Sequence, residues 1–431
     1  MVAKNAATDD RVASDGSAYA LRVSAFYAAV FLIYGFNVPY LPLWLDWRGL
    51  SDTEIAIVTA APFFLRLAVT PAFAVAADKS GNHRLFIVGL AGIGFVAIAL
   101  LNGMHGFWPI LVMSLIFALT TMTIMPLTET VAIGGVRAYG LDYGRMRLWG
   151  SLTFIVIGAA GGALVARTGA QVVVPVLIAA AAVTFAASFW LPRRPQTDRG
   201  SADRGQTAGA HFSWHDVRQL IGSPMFLIFL FASGAIQGAH ALFYTFGALH
   251  WASQGLTTTW TGALWAVSIA AEVALFAYSA AILRLAGPLQ LLLAGGAAAV
   301  VRWLAMSFDP PLALLFPLQA LHAFTYAATH LAAIHFIHRA VPQAAAGTAQ
   351  ALYATVAAGL MMGIATLASG PLYGAVAGGA YLAPAGLALA GLLAGLAIYR
   401  RWDGDLLWRT GVAAPASVIP TGRETADQSS H

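Results

Sequence analysis

Residues 53–100 read TEIAIVTAAPFFLRLAVTPAFAVAADKSGNHRLFIVGLAGIGFVAIAL. Two apolar runs flank a short charged turn, Asp78-Lys79-Ser80-Gly81, closed by Arg84. Each run approaches or exceeds the roughly 20 residues that a helix needs to cross a bilayer. Backbone polar groups inside lipid must be satisfied within the segment, which favours helices. The stretch therefore reads as a hairpin of membrane-spanning helices at 53–77 and 85–103.

Working outward, the whole chain repeats this pattern. Of 431 residues, 59% are hydrophobic and 10% charged, against about 25% charged in ordinary soluble domains. That balance excludes soluble, secreted and nucleic-acid-binding readings. The net charge of +5 is spread over short segments between apolar runs instead of gathering on one face. The absence of cysteine excludes disulfides, thiolate catalysis and iron-sulfur sites. Further helices are expected near 21–41, 107–131, 147–167 and 170–192, and a second set near 223–248, 258–283, 287–307, 310–337, 345–373 and 379–400. The expected architecture is an all-α membrane protein of twelve transmembrane helices in two pseudo-symmetric six-helix bundles, 21–192 and 223–400. A polar tail (1–20), a charged linker (193–222) and a second tail (401–431) complete it.

Basic residues mark cytoplasmic loops. Lys79, Arg84, Arg137, Arg145, the linker arginines, Arg284, Arg339, Arg400 and Arg401 fall on one side of this arrangement, with Arg48 and Arg167 on the other. Both termini are accordingly expected in the cytoplasm, with the chain in the inner membrane.

Ionisable groups inside a bilayer are costly and default to functional candidates. Here they are Arg66, Glu129, Arg147, Glu272, Arg302, His322 and His330. Glu129 and Arg147 lie on consecutive helices joined by a glycine-rich turn and can meet, either as a structural salt bridge or as a pair that substrate opens. Glu272 shares a helix face with Trp265 and Ser268, and a carboxylate in apolar surroundings is a candidate proton carrier. Arg302 is its expected counter-charge, and a static Glu272–Arg302 bridge is the competing reading. Gln319, His322, Tyr326 and His330 form a polar stripe suited to proton relay or to helix–helix hydrogen bonding. Weaker polar faces are Gln237, His240 and Tyr244, and Tyr27, Tyr34 and Asn37.

Asp78-Lys79-Ser80-Gly81 through Arg84 resembles the helix 2–3 signature of the major facilitator superfamily, with Ala74 in place of its leading glycine. Pro39-Tyr-Leu-Pro-Leu-Trp-Leu, Pro126-Leu-Thr-Glu129 and Tyr143-Gly-Arg-Met-Arg147-Leu-Trp-Gly150 resemble the lactose-permease-like branch. That resemblance implies substrate binding by Glu129 and Arg147, and proton coupling by Glu272, Arg302 and His322. Phe154 replaces the branch's stacking tryptophan, and Thr325 stands where it has an acid. Gln319-Ala-Leu-His322-Ala-Phe-Thr-Tyr326, Gln350-Ala-Leu-Tyr353 and Gly370-Pro-Leu-Tyr373-Gly are most similar to the phenylpropionate permease family. The resemblance spans about residues 20–400 and implies alternating access and proton symport, with an aromatic carboxylate as the family's namesake cargo.

The expected function is import of a small organic solute with protons, needing no cofactor beyond the proton gradient, in a monomer whose partners are substrate, protons and lipid. Substrate would meet Glu129, Arg147, Phe154, Trp149, Asn37, Tyr34, His240 and Trp265. Proton coupling would use Glu272, Arg302, His322, His330 and Tyr326, and gating Asp78, Lys79, Gly81 and Arg84. Rival readings are a sugar or nucleoside permease, an efflux transporter, or a sensor that binds without moving its ligand. An intramembrane metalloenzyme using His330, His335 and His338 is the rival from another class, but the chain has no His-Glu-x-x-His. A gating role for Asp78 predicts that Asp78→Asn slows turnover more than it weakens substrate binding; a pure affinity loss in transport kinetics counts against it.

Overall fold

The computed structural model describes residues 2–195 and 214–408, without the side chains of 2–14. Among the described residues every regular element is helical. The first half comprises α1 (Val2–Trp47), α2 (Asp52–Ser80), α3 (His83–Leu101), α4 (Phe107–Tyr139), α5 (Tyr143–Thr168) and α6 (Val173–Ser188). After a short α7 (Trp214–Gly222) come α8 (Pro224–Ser253), α9 (Thr258–Ala277), α10 (Ser279–Leu285), α11 (Pro288–Met306) and α12 (Leu312–Ala340). The chain ends in α13 (343–376) and α14 (Leu382–Arg401), continuous through a 3-10 turn at Ala377–Tyr381.

Eleven of these helical stretches are long and apolar enough to cross a membrane, and the last, Gln343–Arg401, has 59 residues. Local chemistry explains their ends. Ser51 and Glu54 form a capping box on α2, Asn82 caps α3 and Asp142 caps α5. Gly81 and Gly140 take the left-handed conformation at the ends of α2 and α4, where a side chain would be strained.

Several expected boundaries move. The first helix runs on through the stretch read as an N-terminal tail, and the eighth span ends at Ala277, followed by the separate turn of helix α10. Part of the expected linker, Trp214–Gly222, is helical: Val217 and Leu220 recur at a helix spacing and are buried against the second half. The rest of the linker, 196–213, and the tail from 409 lie outside the described residues.

Within the first half α1 packs on α4, α5 and α6, and α3 on α4 and α6; within the second, α8 and α11 pack on α14, and α11 on α12. The halves meet along α5–α9, α2–α13 and α1–α8. Two of these seams are backbone-to-backbone. Thr258 Oγ1 donates to the Gly162 carbonyl at 2.8 Å, and a Cβ on Gly262 would collide with the Gly158 carbonyl and the Ala159 Cα. On α13, a Cβ on Gly370 would lie 2.7 Å from the Asp52 carbonyl oxygen, and one on Gly363 2.8 Å from Phe64. Both seams involve the same end of the molecule, the start of α2 and α9 and the finish of α5 and α13. The other end carries Asp78, Arg84, Arg137 and Arg145.

Because backbone cannot yield as a flexible side chain can, Gly262→Val should pry α5 from α9. The chain has no cysteine, so a single Phe154→Cys is a clean reporter. A membrane-impermeant maleimide applied from the seam side should label it in the Gly262→Val background and leave it unlabelled with Gly262 present. Equal labelling in both would contradict a sealed seam.

Candidate functional site

Between the halves, next to the seams, lies a cavity of about 470 Å³. Its first-half wall includes Phe31, Tyr34, Phe63, Arg66, Arg147 and Phe154; its second-half wall includes Tyr244, Trp265, Glu272, His322, Tyr326 and His330. Most of the surface is aromatic or aliphatic, with a few ionisable groups, the usual make-up of a small-molecule site.

Arg147 projects from the first turns of α5 across the ring of Phe31, 4.1 Å from its centroid, and within 5.6 Å of that of Tyr27. One terminal nitrogen, Nη1, is buried without a hydrogen-bond partner. Glu129 on α4 is within electrostatic reach of Arg147, with Tyr143 as a further neighbour. No ion pair within 4.0 Å joins Glu129 to Arg147, and Glu129 is not among the cavity-lining residues. Arg66, from α2, also lines the cavity, with the hydroxyls of Tyr34 and Tyr326 as its electrostatic neighbours. Across the cavity, Glu272 faces the field of Arg147 and His330.

On the second-half wall Arg302 is fully buried. Its Nη2 donates to Gln319 Oε1 at 2.7 Å, and its Nη1 to Thr325 Oγ1 and His322 Nδ1, both at 3.2 Å. Its guanidinium also lies over the rings of Trp303 (4.4 Å) and Phe243 (5.1 Å). A guanidinium can only donate, so His322 Nδ1 must accept, and the neutral ring carries its hydrogen on Nε2. That nitrogen faces Glu272 Oε2 at 3.4 Å. Glu272 is thus reached by Arg302 only through His322, and a direct Glu272–Arg302 bridge does not form. The imidazole fills the space between them and stacks on Tyr326, with centroids 5.3 Å apart. Residues 323–328 are a π-helical turn, a local insertion that re-aims side chains and is frequent at functional sites.

Phe154, Trp265, Tyr34 and His330 all line the cavity; Phe154 and Trp265 pack with centroids 6.1 Å apart, and His330 Nδ1 sits 3.3 Å from the Tyr353 hydroxyl. Besides Glu129, three expected substrate contacts lie elsewhere. Trp149 is 55% exposed on the outer face of α5, because two residues beyond Arg147 is about 200° around a helix. His240 is buried behind the wall, with Nδ1 donating to the Gln237 carbonyl (3.0 Å) and Nε2 2.9 Å from Thr325 Oγ1. Asn37 lines a smaller neighbouring cavity. The expected gating residues are at the far end of α2: Asp78 is 63% exposed and contacts His83 Nε2 at 2.9 Å, Lys79 lies in the last turn, Gly81 caps the helix, and Arg84 donates to the Phe189 carbonyl.

The cavity also uses residues that sequence reading did not place in the site. Arg66 stood out as an intramembrane charge without an assigned role. Phe31 and Phe63 carry no signal that separates them from other apolar-span aromatics.

The model of the MFS_1 like family matches residues 20–382. A probable 3-phenylpropionic acid transporter of Escherichia coli (strain K12) is 32% identical over 352 residues, covering 80% of this chain and 89% of that protein. A maltose permease of Geobacillus stearothermophilus is 26% identical over 352 residues, covering 80% and 86%. Among solved structures, the nucleoside transporter NupG shares the fold at 17% identity, with a TM-score of 0.74 over 89% of this chain and 99% of that one. The chain belongs to the MFS_1 like family and is a major facilitator transporter, a multi-pass membrane protein and not an enzyme.

Proposed function

We propose that the protein imports an aromatic carboxylate such as 3-phenylpropionate together with protons, by alternating access across the inner membrane. The observation that carries this reading is a pair of guanidiniums, Arg66 and Arg147, in an aromatic-walled cavity and without an ion-pair partner within 4.0 Å. A planar fork suits a carboxylate, and Phe31, Phe63, Phe154 and Trp265 supply ring-packing surface. The phenylpropionic acid relative is in keeping with this cargo.

Coupling follows from competition for Arg147. With Glu272 ionised, Arg147 faces a carboxylate across the cavity already; a proton on Glu272 removes that charge and leaves the guanidinium to the substrate. His322, held neutral and oriented by Arg302, sets the position of Glu272. Substrate carboxylate and proton thus enter as a neutral pair, and release of the proton on the other side weakens the hold on the cargo.

The accompanying topology is twelve spans, with Gln343–Arg401 crossing twice: its 59 residues cover nearly three bilayer thicknesses at about 1.5 Å per residue. The six-helix units would occupy 21–192 and 223–400. Both termini and the 193–222 linker would face the cytoplasm, and the protein would act as a monomer without a bound cofactor. The seams would then close the outer end, leaving the cavity in contact with the cytoplasmic side.

Liposomes with a trapped pH dye test the cargo. Adding 3-phenylpropionate outside should give saturable, protein-dependent acidification above that of empty liposomes. Arg147→Ala should reduce it by about 100-fold, the scale of about 3 kcal/mol for a lost charged hydrogen bond. A signal only with sugars or nucleosides would transfer the site to those cargoes. Glu272→Gln should keep substrate exchange between the two sides but lose accumulation driven by a pH gradient, and its exchange rate should no longer vary with pH. Retained pH-driven accumulation would remove Glu272 from the coupling.

A further inference from the structure

Beside the central cavity, towards the seams, is a second cavity of about 150 Å³. It adjoins the first: Val38, Phe63, Tyr244 and Met362 line both. Its remaining wall comes from α1, α2, α4 and the second half, mostly apolar, and includes Asn37 and Ser114.

These two residues are unusual for their surroundings. Ser114 is only 3% exposed, and its hydroxyl is buried with no hydrogen-bond partner. Nearby serines and threonines on helices mostly return their hydrogen to a carbonyl one turn back, as Thr121 does to Phe117 at 2.8 Å and Thr366 to Met362 at 2.7 Å. Ser114 does not. Asn37 Oδ1 is likewise buried and unpaired. A buried polar group left without a partner costs about 1–3 kcal/mol, so two at one small cavity are best explained by a group that arrives with the ligand. The pair offers both a donor and an acceptor. No lining residue of this cavity is charged, so the complement is a neutral hydrogen-bonding group and not a second carboxylate or an amine.

We propose that the side cavity is a specificity subsite for a hydroxyl at the far end of the substrate's aromatic ring, so that the preferred cargo is a 4-hydroxyphenyl carboxylic acid. This rests on the aromatic-carboxylate reading of the central cavity. The carboxylate sits at Arg147 and Arg66, the ring lies against Phe63 and Tyr244 at the junction, and the hydroxyl enters between Asn37 and Ser114. The hydroxyl donates to Asn37 Oδ1 and accepts from Ser114 Oγ.

The test is competition against labelled 3-phenylpropionate in proteoliposomes, using 3-(4-hydroxyphenyl)propionate and 3-(4-methylphenyl)propionate. The methyl acid has nearly the same shape but no hydrogen bond to give. The hydroxy acid should compete about three- to tenfold better, the worth of one to two neutral hydrogen bonds. Ser114→Ala should reduce that advantage by about twofold or more, the worth of the one hydrogen bond it removes, while leaving uptake of 3-phenylpropionate itself within twofold. If Ser114→Ala does not fold, Asn37→Leu provides the same comparison, and the wild-type ratio of the two competitors stands without any variant. Equal competition by the hydroxy and methyl acids, with 3-phenylpropionate still transported, overturns the subsite alone. Failure of all three acids to bind overturns the aromatic-carboxylate reading on which it rests.

Discussion

The second half of this transporter is organised around one buried cation. Arg302 has neutral acceptors and ring faces around it, with its nearest carboxylate one imidazole away. Removing a guanidinium from water costs several kcal/mol. Three hydrogen bonds from a charged donor, at about 1.5–3 kcal/mol each, together with cation–π contacts of about 0.5–2 kcal/mol, are of the size needed to offset that. The compensation works only if Gln319, His322 and Thr325 stay where they are. Gln319 Oε1 is in turn held by Ser268 Oγ at 2.9 Å, so α9, α11 and α12 are tied at this point. The tautomer of His322, and through it the position of Glu272, follows from the same arrangement.

How much of this the sequence discloses depends on what kind of signal each residue carries. Charge in an apolar span is conspicuous, and that rule alone points to Arg66, Glu129, Arg147, Glu272, Arg302, His322 and His330; five of these line the cavity, Arg302 supports its wall, and Glu129 lies off it. Partner choice is less accessible. Nothing in helical spacing says that the His322 ring comes between Arg302 and Glu272, since that depends on a π-helical turn at 323–328 that regular periodicity does not anticipate. Trp149 illustrates the opposite error: it is expected against the substrate together with Arg147, whereas helix geometry sends the two side chains to different faces. Fold class was readable because the hydrophobic runs are long. Helix ends were less so, because apolar patterning is indifferent to whether a helix continues past the lipid, as α1 does, or stops at a turn, as α9 does.

The glycine seams and the charged cavity divide the labour between them. Where α5 meets α9 and α2 meets α13, contact is made by backbone and small side chains, so separating them requires few rotamers to change. The charged groups of the central cavity lie beside that contact, and the smaller cavity nearer the seams has no charged residue in its lining. A residue altered among the charged groups of the cavity wall need not disturb the glycine contacts between the halves.

Arg302 also bears on how the chain enters the bilayer. Synthesis delivers α11 before α12, so the guanidinium reaches the membrane before Gln319, His322 and Thr325 exist to receive it. Its place four residues before the helix end at Met306 is significant, since that is only about 6 Å along the axis. A long side chain at that depth can extend to the headgroups, avoiding the roughly 2.5–3.5 kcal/mol of an arginine at a helix centre. An arginine so placed has water within reach of its side chain until the following helix supplies its acceptors.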